Sequence, residues 1–249
     1  MPTDFRSKLR NHELLVGPMI TLPLPETAEI LAGAGFDWFF LDAEHGVFSA
    51  RDLQAVIGRV AHRIPCVVRV AASEEVPIKK ALDVGAAGIV APQVNTPSLA
   101  ESVVQWCKYS PQGVRGVGIS RAHGYGFSFD DYVRQANQQI AVIVQAEHID
   151  AVNNIDQIAR VEGLDAVLVG PYDLSASLGR IGQVDHPEVV SAIEHVTQVC
   201  LDAGVALGIF GVSAEAVKPY LDKGYTLIIA SVDTVMLGQA GRTILSELK

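Results

Sequence analysis

The sequence predicts a single (β/α)8 TIM barrel over residues 1–249, and three observations carry that prediction. Eight short apolar runs alternate with amphipathic runs from one end of the chain to the other. The apolar runs are rich in Val, Ile, Leu and Phe without polar alternation, as strands buried on both faces should be. The length of 249 residues matches one such barrel, typically about 250.

In order, strand 14–20 is stopped by Pro23 and Pro25, and helix 26–35 closes on Gly35. Strand 37–42 runs through Trp38, Phe39, Phe40 and Leu41 to Asp42. Helix 50–63 leads to strand 65–70, whose apolar run is broken by Arg69 alone. Helix 77–85 ends on Gly85 before strand 88–92, and helix 98–109 closes the first half. Strand 140–146, helix 149–161 and strand 164–169 follow, the last turning at Gly170-Pro171. Helix 187–204, strand 206–210, helix 213–224, strand 226–230 and helix 233–249 complete the series. Gly35, Gly85, Gly204 and Gly224 stand where helices end, a position that favours a left-handed glycine. An open doubly wound sheet is the competing architecture. It calls for a Gly-rich nucleotide turn after the first strand, where this chain has Thr21-Leu22-Pro23-Leu24-Pro25. Gly113, Gly116 and Gly118 have the wrong spacing and follow a helix. One connection is long: residues 110–139 contain a predicted short helix at 129–134. They also offer Arg115, Arg121, His123 and Tyr125 as substrate contacts, against the alternative of a solvated loop with packing glycines.

Composition excludes several functions. Hydrophobic residues make up 49% and charged residues 19%, with a net charge of −9 and a pI near 5.2. Such a surface is unsuited to nucleic acid or an anionic membrane. No apolar run approaches the ~18 residues needed to cross a bilayer, and the first eight residues lack the apolar core of a signal peptide. Cys66, Cys107 and Cys200 are far apart and read as reduced core thiols. A cytoplasmic enzyme is the expectation.

The active site of a barrel lies at the carboxyl ends of its strands, and here those ends are polar. Asp42, Glu44 and His45 follow the second strand, Arg69 closes the third, and Gln93 follows the fourth. Gln145 and Glu147 belong to the fifth, Asp173 to the sixth. Two carboxylates, Glu147 and Asp173, follow neighbouring strands, an oxygen donor set that suits a hard divalent cation. Each residue also has a plainer role. Asp42 or Glu44 caps the next helix or pairs with Arg69, His45 is structural, and Arg69 is a counter-charge, since a guanidinium in a buried strand requires a partner. None of the seven lysines falls at a strand end, which argues against Schiff-base chemistry. A cation on carboxylates, a histidine to move protons and an arginine beside a developing anion suit enolate chemistry on a small 2-oxo acid.

The chain resembles the HpcH/HpaI family of divalent-metal-dependent pyruvate aldolases over nearly its whole length. The landmarks are Phe36 to Gly46 with Asp42-Ala43-Glu44-His45, Val67-Val68-Arg69-Val70, Ile78 to Gly85, Pro111 to Gly116, Val144-Gln145-Ala146-Glu147 and Gly170-Pro171-Tyr172-Asp173-Leu174. The resemblance implies that Glu147 and Asp173 bind Mg, Mn or Co, with Gln145 supporting the metal's waters. Arg69 would hold the ketone or enolate oxygen, and His45 would move the proton with Asp42 orienting it. Backbone around Gly170, Tyr172 and Asp173 would receive the pyruvate carboxylate, and Phe210 and Val212 would line the aldehyde pocket. The reaction implied makes or cleaves 4-hydroxy-2-oxo acids from a 2-oxo acid (pyruvate or hydroxypyruvate) and an aldehyde. The resemblance also implies a homohexamer, a trimer of dimers, whose C-terminal helix is exchanged between paired subunits and whose Asp83 lies near a neighbour's site. Tyr172, Gly46-Val47 and Gly208-Ile209-Phe210-Gly211-Val212 depart from the family pattern, all around the aldehyde pocket. Two other readings stand beside the aldolase: an acyl-CoA lyase of the same superfamily, needing a basic patch such as Arg115–Arg121, and a non-catalytic 2-oxo-acid-binding protein.

Overall fold

All eight predicted strands form, and they close into one parallel barrel in sequence order. The computed structural model describes residues 5–249, so the sequence reading of the first four residues lies outside it. The strands are β1 (Leu15–Ile20), β2 (Phe39–Asp42), β3 (Cys66–Arg69), β4 (Gly88–Ala91), β5 (Ala141–Ala146), β6 (Ala166–Val169), β7 (Ala206–Gly211) and β8 (Leu227–Val232). The helices are α1 (Phe5–Arg10), α2 (Pro25–Ala32), α3 (Ala50–Val60), α4 (Glu75–Asp83), α5 (Pro97–Cys107), α6 (Phe129–Gln139), α7 (Ile149–Asn153), α8 (Ile155–Ile158), α9 (Pro171–Ser177), α10 (Pro187–Ala203), α11 (Ala214–Leu221) and α12 (Asp233–Leu248). Among the described residues no helix is long and apolar enough to cross a membrane.

The alternation of side chains along a strand divides the core in two. Phe39, Leu41, Val68, Ile89 and Val142 point outward to the helices. Trp38, Phe40, Val67, Val90, Ile143, Leu168 and Ile229 fill the barrel interior. Gly17 lets two strands approach closely, because a Cβ there would lie 2.3 Å from the Trp38 carbonyl oxygen. The amino end of the barrel is plugged by α1, a six-residue helix too short to announce itself by periodicity. Its Phe5 packs on Trp38 with ring centroids 5.5 Å apart, and its Arg6 Nε donates to both oxygens of Asp165 at 2.9 and 2.8 Å.

Helix endings follow the sequence reading. Gly35, Gly85, Gly204 and Gly224 all have positive φ. Two differences have local causes. The predicted helix 149–161 is two short helices meeting at Asn154, whose φ of −107° is not helical. The predicted short helix at 129–134 extends to Gln139. The three cysteines are free and buried, and burial pushes each thiol up to about 12, as inert core thiols should be.

Candidate active site

Residues at the ends of all the strands but β4 line a cavity of about 420 Å3 at the carboxyl end of the barrel. Continuing the inward alternation of Trp38 and Phe40 by two residues gives Asp42. The same step from Val67 gives Arg69, from Ile143 gives Gln145, and from Leu168 gives Gly170. The pleat of the buried strands thus delivers the polar residues to one mouth.

Asp42 and Arg69 are register partners on β2 and β3. The Arg69 Nε and one Nη donate to the two Asp42 oxygens at 2.9 and 2.8 Å, a bidentate pair, while the other Nη lies 3.1 Å from Glu44. Burial works against the guanidinium's charge, but the Asp42 bond and the nearby carboxylates outweigh it and raise its pKa. The Asp42 Oδ1 also accepts the backbone N–H groups of Glu44 and His45 at 3.1 and 3.2 Å. That fixes the turn after β2 and leaves no room for a side chain at Gly46, where a Cβ would stand 2.2 Å from the Asp42 carbonyl oxygen. The His45 ring is held loosely: it is largely exposed, with Nε2 3.8 Å from Glu44. Burial pushes the Glu44 carboxyl up, against the pull of Arg69.

Across the mouth, Glu147 is buried at 2% exposure. The backbone N–H of Gln93 donates to its Oε1 at 2.8 Å, and the Gln145 side-chain amide donates to its Oε2. Gln93 takes a φ of +52° to present that N–H. Burial, with Asp173 and Glu44 close by, pushes Glu147 up to about 7 despite the Gln93 bond and Arg69. Gly170 closes the group, since a Cβ there would lie 2.8 Å from the Glu147 Cβ and 3.2 Å from the Gln145 amide nitrogen. Asp173 and Tyr172 stand in the first turn of α9 and are exposed on the rim. Phe210 and Val212 line the same cavity. The structure therefore gathers Asp42, His45, Arg69, Gln145, Gly170, Tyr172, Asp173, Phe210 and Val212 around one space, with Glu147 buried against Gln145 and Gly170.

The chain has known relatives. A profile of the HpcH/HpaI aldolase/citrate lyase family matches residues 20–240. The chain belongs to that family. It is 38% identical to the hydroxypyruvate/pyruvate aldolase of Deinococcus radiodurans, over 100% of this chain and 91% of the relative. It is 36% identical to the 4-hydroxy-2-oxo-heptane-1,7-dioate aldolase of Escherichia coli, over 98% of this chain and 94% of the relative. The crystal structure of an HpcH/HpaI aldolase/citrate lyase family protein from Burkholderia cenocepacia superposes with a TM-score of 0.95 at 38% identity, covering 99% of both chains. Those names match the aldolase reading of the sequence, and the TIM barrel is the fold the sequence predicted.

In this family member the long excursion does not reach its own chain's pocket. Residues 110–139 join a helix to the next strand, so they lie at the amino ends of the strands, away from the mouth. Arg115 is buried against the ring of Tyr109, its guanidinium carbon 4.6 Å from the centroid, and donates to Asp83 at 2.9 Å. Arg121 donates to the Val84 carbonyl at 2.9 Å, and His123 is buried, with Nε2 2.6 Å from the Gly118 carbonyl oxygen. Tyr125 is exposed. The reading of these four as substrate contacts is corrected for the pocket of their own chain. Asp83, at the end of α4, also stands apart from that pocket. The acyl-CoA alternative finds no basic patch at the mouth, because Arg115 and Arg121 both lie on the amino-end face.

Sequence reasoning passed over several lining residues: Met19, Thr21, Phe40, Leu168 and Val232. For Phe40 and Leu168 the signal was available, since both share strand parity with site residues two positions on, Asp42 and Gly170. For Val232 it was not. Ser231 has a φ of +69°, which resets the alternation at the end of β8 and turns Val232 inward. Glu44, whose plainer reading was to cap the next helix or pair with Arg69, does pair with it at 3.1 Å.

Proposed function

We propose that the protein is a divalent-metal-dependent 2-oxo-acid aldolase of one domain, residues 1–249, working in the cytoplasm as a homo-oligomer. The observation that carries this reading is the pairing of buried Arg69 with Asp42 beside the buried Gln145–Glu147 pair, at the mouth of a barrel. Four carboxylates (Asp42, Glu44, Glu147, Asp173) face one guanidinium there, an imbalance that a cation relieves. The Gln145 Oε1 is buried with no partner, an acceptor fit for an ion's water. Among the described residues no group of three or more His, Cys, Asp and Glu side chains gathers as a metal cage. We assign the donor set to two carboxylates, Glu147 and Asp173, with waters and substrate oxygens, a set that suits Mg, Mn or Co.

A bound cation supplies Lewis acidity toward the 2-oxo group. The chain's own residues do the rest. Arg69 has five N–H donors and gives two to Asp42, so others remain for the ketone oxygen as it becomes an enolate. Backbone N–H groups in the first turn of α9, at Tyr172 and Asp173, have no intrahelical partner and receive the donor's carboxylate. His45, fixed through its backbone by Asp42 and free in its ring, takes a proton from C3 of pyruvate or hydroxypyruvate. The enolate carbon then gives its electron pair to the aldehyde carbon, and the aldehyde oxygen takes a proton to become the 4-hydroxyl. Cleavage is the reverse.

The test is exchange of pyruvate methyl protons for deuterium, read by NMR without aldehyde. We expect exchange with Mg, Mn or Co, none in the presence of a chelator, and no mass change on borohydride treatment with pyruvate. Exchange that persists in chelator, or pyruvate trapped on a lysine, refutes the proposal.

A further inference from the structure

The acceptor side of the cavity has a composition that selects among aldehydes. Its enolate side is polar, made by Arg69, Gln145, Gly170 and Asp173. The buried and half-buried part of the remaining wall is formed by Met19, Phe40, Leu168, Phe210 and Val232, with the Thr21 hydroxyl committed to Asp233 at 2.8 Å, while Val212, Tyr172 and His45 stand exposed at the rim. No lysine lines the cavity, and its one arginine is already bound to Asp42 and Glu44. We infer that the acceptor is an uncharged aldehyde with a short apolar chain, and that this pocket discriminates against aldehydes bearing a second carboxylate. The inference rests on the aldolase reading and adds the substrate class.

Two physical effects act together against an anionic acceptor. A carboxylate at the far end of the chain would leave water for the buried apolar wall, which carries no free side-chain donor, and that is costly unless a partner is present. It would also enter a mouth whose four carboxylates, with the donor's own, still outweigh Arg69 and a bound divalent cation. An alkyl group of the same length meets neither obstacle and gains from contact with the wall. The Escherichia coli relative is named for a dioate, a compound with a second carboxylate. On this point the present chain departs from that name.

Butanal and succinic semialdehyde form the discriminating pair, since they share a four-carbon chain and differ in a terminal methyl or carboxylate. Addition to pyruvate is followed with each, by product formation on the metal-loaded enzyme. We expect kcat/KM for butanal to exceed that for succinic semialdehyde by at least ~50-fold. Val212 is half-exposed at the rim, so Val212→Lys introduces a cation with little strain and should narrow the ratio by about tenfold or more. Equal or better use of succinic semialdehyde by the native enzyme overturns the inference, as does a ratio unmoved by Val212→Lys in a folded variant. Deuterium exchange into pyruvate in the same samples separates the two levels of failure. Exchange without addition to either aldehyde overturns the acceptor class alone, whereas no exchange with any of the three metals overturns the aldolase reading beneath it.

Discussion

At the scale of single residues, Gly170 is the tightest constraint on the site. Its φ of −107° is open to any residue, so backbone strain does not explain the glycine. Space does: a Cβ would press on the Glu147 Cβ at 2.8 Å and on Glu147 Oε2 at 3.1 Å. Gly170→Ala should therefore leave the fold intact while displacing the Glu147 carboxylate by some tenths of an ångström. Misplacement of a reacting group by about 1 Å can cost ~10²-fold, so we expect kcat/KM to fall by about 10–10²-fold and metal affinity to weaken. Circular dichroism, metal titration and turnover check this, and a variant with native turnover would show that Glu147 is not held by this contact. The identities of Asp42, Arg69, Glu147 and Asp173 were legible in the sequence because each interrupts or ends an apolar run, where a polar residue needs a reason. Val232 was not legible, because the positive φ of Ser231 that turns it inward has no signature in a serine.

At the scale of elements, the strand order and the βα connections were readable from alternation alone, and of the two readings open for the αβ connection 110–139, substrate contact does not hold for the pocket of its own chain. Its length and its arginines suggested substrate contact. Its place between a helix and the following strand already assigned it to the amino-end face. A different link between elements joins the C-terminal helix to the pocket wall. Asp233, the first residue of α12, is buried at 3% exposure and accepts the N–H groups of Thr21, Leu22 and Thr234, together with the Thr21 hydroxyl. It ties the segment after β1, whose Thr21 lines the cavity, to the helix that follows β8. Asp233→Asn would set an amide N–H against these donors. Each unsatisfied buried donor costs about 1–3 kcal/mol, so we expect a loss of roughly that size in urea unfolding. Thr21 lies on the acceptor side, so the aldehyde KM should rise while pyruvate deuterium exchange stays within a few-fold of native. An unchanged urea midpoint, or an exchange rate that falls in step with aldehyde turnover, would remove Asp233 from this role.

At the scale of the whole molecule, the single chain leaves apolar surface uncovered in two places. In α12, Leu237, Ile244, Leu245 and Leu248 are each more than half exposed. They recur at intervals of seven, one and three residues, which sets them along one face of a helix. At the amino-end face, Val114, Val117, Ile119 and Phe127 are exposed on the excursion beside the Arg115–Asp83 pair. Scattered apolar residues need no partner, but a continuous helical stripe does. It also fits the oligomer proposed above, in which this helix packs on a paired subunit and Asp83 approaches a neighbour's mouth. The sequence showed that α12 is amphipathic. It could not show that the apolar face stays uncovered by the described residues of its own chain, because that depends on where β8 delivers the helix. Leu237→Glu with Leu245→Glu places two charges on the stripe while keeping good helix formers at exposed positions. We expect native protein to show a multiple of the 26.6 kDa chain mass by light scattering, and the double variant to shift to smaller species with its helical content retained. If Asp83 contributes across the interface, turnover should fall with the dissociated fraction and recover at high protein concentration, a dependence that a purely local defect would not produce. A native chain that is monomeric, or a double variant that stays assembled, would refute the role of this helix.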